Sequence, residues 1–149
     1  MRERGMILLA EDNETDALLL KRAFEKAEVD TELTVVRDGQ EAVFYLRGEN
    51  EFADRQEHPF PVLLLLDLKM PLMDGFDVLS WLKGQPGLKR LLVVVLTSSN
   101  LQADIDRAYD LGANSYLVKP TGFENLIDLT KRLEAYWLEA NQTPGLRSP

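Results

Sequence analysis

Acidic, hydroxyl and amine side chains stand where apolar stretches of this sequence end. Glu11 and Asp12 follow one such stretch, and Asp67, Thr97 and Lys119 each follow another. Carboxylates that gather in one crevice repel each other and need a cation. Oxygen ligands suit a hard divalent ion such as Mg²⁺, which shares its coordination shell with phosphate. These residue types therefore predict phosphoryl chemistry, with a carboxylate as nucleophile and an amine and a hydroxyl as partners of phosphoryl oxygens.

Five apolar stretches must position these residues. They read as buried strands at about residues 6–10, 32–36, 62–66, 91–96 and 115–118. Each is followed by a segment with apolar residues at helical spacing, and the last of these segments runs from about residue 122 to 140. Continuous apolar strands in strict alternation with helices predict an α/β fold, a doubly wound five-stranded parallel sheet covered on both faces.

The predicted fold gathers the polar residues at one edge of the sheet. Open parallel sheets bind ligands outside the carboxyl ends of their strands, where the strand order reverses. For strand order 2-1-3-4-5, this crevice lies between the first and third strands. Glu11, Asp12 and Asp67 would meet there, with Thr97 and Lys119 on its flanks. Asp67 is then the natural nucleophile and would form an aspartyl phosphate.

Length and charge limit the classes of function. The 149 residues fit one domain at residues 1–141, followed by a short flexible tail at residues 142–149. The net charge of −8 argues against nucleic-acid binding. The apolar runs are too short to cross a membrane, and the absence of cysteine fits a reducing compartment. We therefore expect a cytoplasmic protein that binds neither nucleic acid nor membrane.

The motifs at these positions resemble the receiver domain of two-component response regulators. They are E-D at residues 11–12, D-G-Q-E-A at 38–42, D-L-K-M-P-L-M-D-G at 67–75, T-S at 97–98 and Y-L-V-K-P at 116–120. The resemblance extends over about residues 6–140. It implies a CheY-like, flavodoxin-like (βα)5 fold with sheet order 2-1-3-4-5.

The resemblance implies a role for each acidic residue of the site. Asp67 is the expected phosphoacceptor. Asp12, together with Glu11, Asp67 and the backbone carbonyl of Lys69, is expected to hold Mg²⁺. Lys69 also lies on the expected path of the hydrolytic water, as does Ser99, so both are predicted to tune the lifetime of the phosphoryl group.

The resemblance also implies a switch. Thr97 would move onto the phosphoryl group, Tyr116 would swing inward with it, and Lys119 would bind a phosphoryl oxygen. The peptide bond before Pro120 is expected to be cis, since X-Pro is where such bonds occur. The readout would be the surface of the fourth helix, the fifth strand and the fifth helix.

The expected phosphoryl donor is a sensor histidine kinase. The long polar connection at residues 47–61, in which His58 reads as solvent-exposed, is similar to that of regulators paired with bacterial phytochrome kinases. The signal would pass to a downstream protein that the sequence does not name. The aromatic final helix, with Tyr136 and Trp137, supports the hypothesis of a phosphorylation-linked homodimer.

Two other functions share parts of this pattern. Haloacid dehalogenase-type phosphatases also use an aspartate at a strand end with Mg²⁺, but they need a second acid two residues later, where this chain has Lys69. A receiver-like module that works without phosphorylation is the other alternative, and the complete set of site residues argues against it. We expect a signalling protein whose only chemistry is self-phosphorylation and self-dephosphorylation.

Overall fold

The computed structural model describes residues 5–144, which form a five-stranded parallel sheet with helices on both faces. The strands are β1 (Met6–Ala10), β2 (Glu32–Val36), β3 (Leu63–Leu66), β4 (Leu92–Thr97) and β5 (Ser115–Val118). Their order is β2-β1-β3-β4-β5, and every neighbouring pair is parallel. The predicted fold class and strand order are confirmed.

A helix follows each strand. These are α1 (Glu14–Lys26), α2 (Gly39–Arg47), α3 (Gly75–Lys83), α4 (Gln102–Asp110) and α5 (Phe123–Leu133). Short 3-10 turns at Asn50–Phe52 and Pro86–Leu88 precede β3 and β4. Side-chain caps begin three of the helices: Asn13 accepts from an amide of α1, Asp38 from one of α2 and Asp74 from one of α3.

The end of the last helix differs from the prediction. After α5 the chain continues as a π-helical segment, Glu134–Ala140, instead of one α-helix to residue 140. Leu133 and Leu138 are five residues apart and both are buried in the same apolar cluster. A π-helix bonds residues five apart and so places them on one face, whereas an α-helix would separate them around its axis.

The sheet separates two apolar clusters. Leu8, Leu64 and Val95 point to the side covered by α2, α3 and α4. Ile7 and Leu65, on the alternate positions of the same strands, point to the side covered by α1 and α5. In a central strand, every side chain faces one of the two apolar clusters, which explains the continuous apolar runs in the sequence.

Two glycines allow the backbone to close tightly around the loop after β3. The amide of Gly39 donates to the carbonyl of Met73 at 3.0 Å, and the amide of Gly75 donates to the carbonyl of Leu68 at 2.9 Å. A Cβ atom at Gly39 would lie 2.3 Å from the Met73 carbonyl oxygen, and one at Gly75 would lie 2.4 Å from that of Asp67. No side chain fits at either position, so both glycines fix the loop that carries the D-x-x-M-P-x-M-D-G motif.

The long polar connection at residues 47–61 is packed against the rest of the fold. Phe52 is buried, and the ring of His58 stands edge-on to Phe52 at 5.3 Å and to Tyr45 at 5.9 Å. The prediction that His58 is solvent-exposed was wrong, because these ring contacts leave the side chain half-buried. The Arg55 guanidinium donates at 2.8 Å to the carbonyl of Tyr45 and at 2.9 Å to the next carbonyl, both near the C-terminus of α2.

No helix within residues 5–144 is both long enough and apolar enough to span a membrane. Most of the predicted tail, residues 145–149, lies outside the described residues, as do residues 1–4. The domain limits given for residues 1–141 and 142–149 therefore stay a prediction.

Candidate functional site

Three carboxylates meet at the carboxyl ends of β1 and β3. These two strands are neighbours in the sheet, and the Asp67 amide donates to the carbonyl of Ala10 at 3.1 Å. One carboxylate oxygen from each of Glu11, Asp12 and Asp67 lies within 4.8 Å of the others. Glu11 and Asp67 are buried and Asp12 is exposed. This cluster of oxygen donors, open to solvent on one side, fits a divalent cation.

The two oxygens of Asp67 have different surroundings. Its Oδ1 accepts a hydrogen bond from the amide of Leu68 at 2.7 Å, and the amide of Lys69 lies 3.5 Å away. Its Oδ2 lies 3.4 Å from the Nζ of Lys119. The backbone therefore fixes the carboxylate, while Oδ2 stands beside a cation and is free of amide hydrogen bonds among the described contacts.

Lys119 connects the acidic residues of the site. Its Nζ donates to Glu11 Oε1, to Asp16 Oδ2 at 3.1 Å and to Asp67 Oδ2 at 3.4 Å. Its amide donates at 2.7 Å to the carbonyl of Thr97, which fixes the start of the side chain. Burial by itself would lower the pKa of Lys119, but the hydrogen bond to Glu11 and the charges of Asp67 and Glu11 raise it above its ordinary value. The amine is therefore a stable ammonium.

The pKa of Glu11 is raised, because this carboxylate is buried beside a second acid. Burial is the main reason that its pKa rises from 4.5 to about 7, and the nearby Asp67 raises it further, whereas the hydrogen bond from Lys119 lowers it. Only 3% of Glu11 is exposed. One ammonium does not balance these carboxylates, which is a second reason that the site suits an added cation.

Asp16 is a member of the site that was not predicted from the sequence. It occupies the third position of α1, where its amide donates to the capping Asn13 Oδ1 at 3.0 Å. An acid three residues after a cap is typical of helix starts, so the sequence pattern gives it a capping role. The structure shows instead that its carboxylate faces Lys119, which lies 103 residues further along the chain.

Thr97 ends β4 with a buried hydroxyl. The side chain has no exposed surface, and its Oγ1 has no hydrogen-bond partner among residues 5–144. Thr31 is the other described residue in that condition. Burial of a hydroxyl without a hydrogen-bond partner costs free energy of folding. In native proteins, such a group calls for an explanation, such as a catalytic role or a bound ion. At the edge of an acidic site, this orphaned donor fits an incoming group that carries acceptor oxygens.

The loop after β4 is tied to β5. The Tyr116 hydroxyl donates to the backbone carbonyl of Ser99 at 2.9 Å, and the Ser99 hydroxyl donates to Asp104 Oδ2 in α4 at 2.6 Å. Tyr116 is partly buried, and burial raises its pKa. The aromatic ring thus already contacts the loop that begins at Thr97. Its predicted role as a moving switch stays a prediction.

The remaining predicted positions are Lys69 and Pro120. The side chain of Lys69 is exposed, and the proposed contact of its carbonyl with a metal stays a prediction. The predicted cis bond before Pro120 was wrong, because the described part of the chain contains no cis peptide. The trans isomer is the lower in energy for X-Pro by about 0.5–1 kcal/mol. It leaves Lys119 within reach of Glu11 and Asp67.

Comparison with known proteins gives consistent similarities. The family model of the response regulator receiver domain matches residues 7–131. The probable methanogenesis regulatory protein FilR2 of Methanothrix harundinacea is 42% identical over 140 residues, which is 94% of this chain and 88% of FilR2. Response regulator Rcp1 of Synechocystis is 37% identical over 140 residues, covering 94% of this chain and 93% of Rcp1.

Solved structures agree with the sequence comparison. The phosphorylated cyanobacterial phytochrome response regulator RcpA superposes with a TM-score of 0.87 at 40% identity, over 97% of this chain and all of RcpA. The Mn²⁺-bound form of Rcp1 superposes with a TM-score of 0.83 at 36% identity, over 96% of this chain and all of Rcp1.

Proposed function

The chain belongs to the response regulator receiver domain family of two-component signalling, and from this premise we propose that Asp67 accepts a phosphoryl group from a sensor histidine kinase. The observation that supports the proposal most directly is the contact of Lys119 with both Glu11 and Asp67. It combines a buried nucleophile after β3 with a stable positive charge after β5, at the edge where parallel sheets bind their ligands.

The reaction needs little more than positioning. Oδ2 of Asp67 attacks the phosphorus atom of a phosphohistidine, the phosphorus–nitrogen bond breaks, and its electron pair returns to the imidazole nitrogen. The amide of Leu68 holds Oδ1, so that Oδ2 is the oxygen presented to the donor. The Lys119 ammonium stabilises the negative charge of the transferred group. Hydrolysis of the acyl phosphate by water later restores the free carboxylate.

We further propose that the cation is Mg²⁺. Glu11, Asp12 and Asp67 would hold it, with the carbonyl of Lys69 as an additional ligand. When bound, the ion neutralises the charge that carboxylates and phosphoryl oxygens bring together. The Mn²⁺-bound form of the relative Rcp1 supports a divalent cation in this kind of protein.

Phosphorylation would act through Thr97. Its unpartnered Oγ1 would donate to a phosphoryl oxygen, and this movement would pull on the loop that Tyr116 contacts through the Ser99 carbonyl. The proposed output surface comprises α4, β5 and α5. It carries two exposed apolar side chains, Tyr109 and Val118, that a downstream protein could cover.

The similarity to RcpA and Rcp1 supports a narrower proposal, that the kinase is a phytochrome-type photoreceptor. Phosphotransfer profiling against purified histidine kinases, in red and in far-red light, tests it. Preferential transfer from a kinase without a chromophore domain would contradict it. The chain contains no cysteine, which is consistent with the cytoplasmic location that we propose for this encounter.

The proposed homodimer rests on the last helical segment. Tyr136 is 55% exposed, whereas Trp137 packs against the apolar cluster beneath α1 and α5. The tyrosine is therefore the more accessible member of this aromatic pair. Light scattering of the protein before and after acetyl phosphate treatment tests the hypothesis, and an unchanged mass would remove it.

Labelling with acetyl phosphate tests the central proposal. We expect a slower-migrating phosphorylated band on a phosphate-affinity gel with Mg²⁺ present, and none with EDTA. Asp67→Asn should abolish the band, while Asp128→Asn, an exposed substitution in α5 with the same change of charge, should leave it intact. Continuous release of phosphate from unrelated phosphomonoesters would favour the phosphatase alternative. A wild-type protein that takes no label would favour a module that works without phosphorylation.

A further inference from the structure

We infer that Asp16 is a positioning residue, which shares the Lys119 ammonium with the cluster of Glu11, Asp12 and Asp67 and so leaves more of the negative charge of the cluster for a cation. The inference rests on the proposed function. Within residues 5–144, it assigns a purpose to the one carboxylate contact of Lys119 that lies outside the cation cluster.

The contacts of Lys119 separate into two groups. Glu11 and Asp67 each contribute an oxygen to the cluster that fits a cation. Asp16 contributes none, although its Oδ2 is, at 3.1 Å, closer to the Lys119 Nζ than the 3.4 Å of Asp67 Oδ2. A cation in the cluster would draw the electron density of Glu11 and Asp67 toward itself. Asp16 would keep its full attraction for Lys119.

The place of Asp16 is well defined. Its amide is bonded to Asn13 Oδ1, so the first turn of α1 fixes its backbone while its side chain remains partly exposed. Asp16 and Lys119 border a cavity of about 190 Å³ between α1 and α5. Much of its lining is apolar, as at Leu20 and Phe123, and offers no charge to the ammonium. Asp16 is thus the anchor for Lys119 on this side of the site.

Removal of the Asp16 charge should lower the affinity for a cation and lengthen the lifetime of the phosphoryl group. Without Asp16, Lys119 pairs more closely with the cluster, and the local negative potential falls, so the affinity for a divalent cation should decrease. In the phosphorylated protein, however, Asp16 competes with the phosphoryl oxygens for Lys119 and repels their charge. Its removal should therefore lengthen the lifetime of the phosphoryl group. Each effect should be about two- to five-fold, the range expected of a partly exposed ion pair.

The test compares Asp16→Asn with Glu14→Gln. Both substitutions remove one negative charge from the first turn of α1, so the loss of helix-dipole stabilisation is matched. Glu14 is exposed and pairs with Arg37 at 3.5 Å, away from Lys119. Asp16→Glu restores the charge and should approach the wild type. Asp16→Ser repeats the loss of charge if the asparagine variant is unstable, and urea unfolding reports whether each variant is folded.

Two measurements separate the effects. Electron paramagnetic resonance of free Mn²⁺ gives the cation affinity without any reaction. Decay of the phosphorylated band, after removal of acetyl phosphate at saturating Mg²⁺, gives the phosphoryl lifetime. We expect Asp16→Asn to bind Mn²⁺ more weakly and to keep its label longer than both the wild type and Glu14→Gln.

Three results would overturn the inference. Asp16→Asn that matches Glu14→Gln in both measurements would show that the contact with Lys119 has no effect. A change of both quantities in the same direction, weaker binding with a shorter lifetime, would indicate general disorder of the site. A wild-type protein that takes no label would remove the proposed function and the inference together, whereas the first two results leave the proposed function intact.

Discussion

Substitution of Lys119 by methionine tests the electrostatics of the site without a bound metal ion. Methionine keeps much of the length of the side chain and removes its charge. In the wild type the ammonium contacts two buried carboxylates, those of Glu11 and Asp67. Loss of one partner of a buried ion pair typically costs about 3–5 kcal/mol, because the other charge is left without compensation. The contact with Asp16 adds little, since that side chain is 43% exposed.

The cost should depend on pH through Glu11. Its pKa is 4.5 in the unfolded chain and about 7 in the fold, so between these values the folded state holds a proton that the unfolded state releases. The free energy of unfolding therefore falls as the pH rises through this window, by about 3 kcal/mol at roughly 1.4 kcal/mol per pH unit. Loss of Lys119 removes a contact that lowers the pKa of Glu11, so in the variant the decline extends to higher pH.

We expect Lys119→Met to lose about 3 kcal/mol of unfolding free energy at pH 8. The loss should be smaller by about 1.4 kcal/mol at pH 5, where Glu11 is protonated in the folded state of both proteins, since pH 8 lies about one unit above the wild-type pKa of Glu11. Urea unfolding in EDTA, followed by tryptophan fluorescence, measures both values. Lys21→Met, an exposed substitution in α1, should change stability by less than about 0.5 kcal/mol. The double variant Lys119→Met with Glu11→Gln should recover most of the loss at pH 8.

An equal loss at both pH values would refute this reasoning. So would a double variant as unstable as Lys119→Met alone, because the cost would then come from packing and not from an uncompensated charge. Addition of Mg²⁺ at pH 8 provides an independent check. It should stabilise the single variant more than the wild type, since the cation replaces the missing positive charge.

Three further substitutions test other parts of the structure, each by urea unfolding. Gly75→Ala places a Cβ atom 2.4 Å from a backbone oxygen and should cost about 2 kcal/mol or more, whereas Gly84→Ala, with its nearest atom at 3.6 Å, should be neutral. Thr97→Val should leave stability unchanged or raise it by up to about 1 kcal/mol, since it removes an unpartnered buried hydroxyl, and a marked loss would show that the hydroxyl has a partner. Arg55→Met should cost about 1–2 kcal/mol, because it removes hydrogen bonds to the carbonyls at the C-terminus of α2. The control, Arg47→Met, removes only an exposed ion pair with Glu49 and should cost less. An equal cost would contradict the role of Arg55 in capping α2.

The sequence by itself determined the architecture. Each central strand is buried on both faces, so its sequence is a continuous apolar run. Each helix is marked by apolar residues three or four positions apart. The order of the sheet followed from the resemblance and from the general rules of parallel folds. Glu11, Asp12, Asp67 and Lys119 could be placed together because each directly follows a strand, and parallel strands bring their carboxyl ends to one edge.

Only the tertiary structure decided what depends on contacts between distant parts of the chain. The charge of Asp16 points at Lys119, although local sequence gives it the appearance of a capping acid. His58 lies in a polar stretch and yet packs on aromatic rings. The π-helical turn after Leu133 serves to bury a leucine five residues later. Periodicity and turn chemistry are local properties of a chain, whereas these features depend on side chains that folding brings together from remote segments.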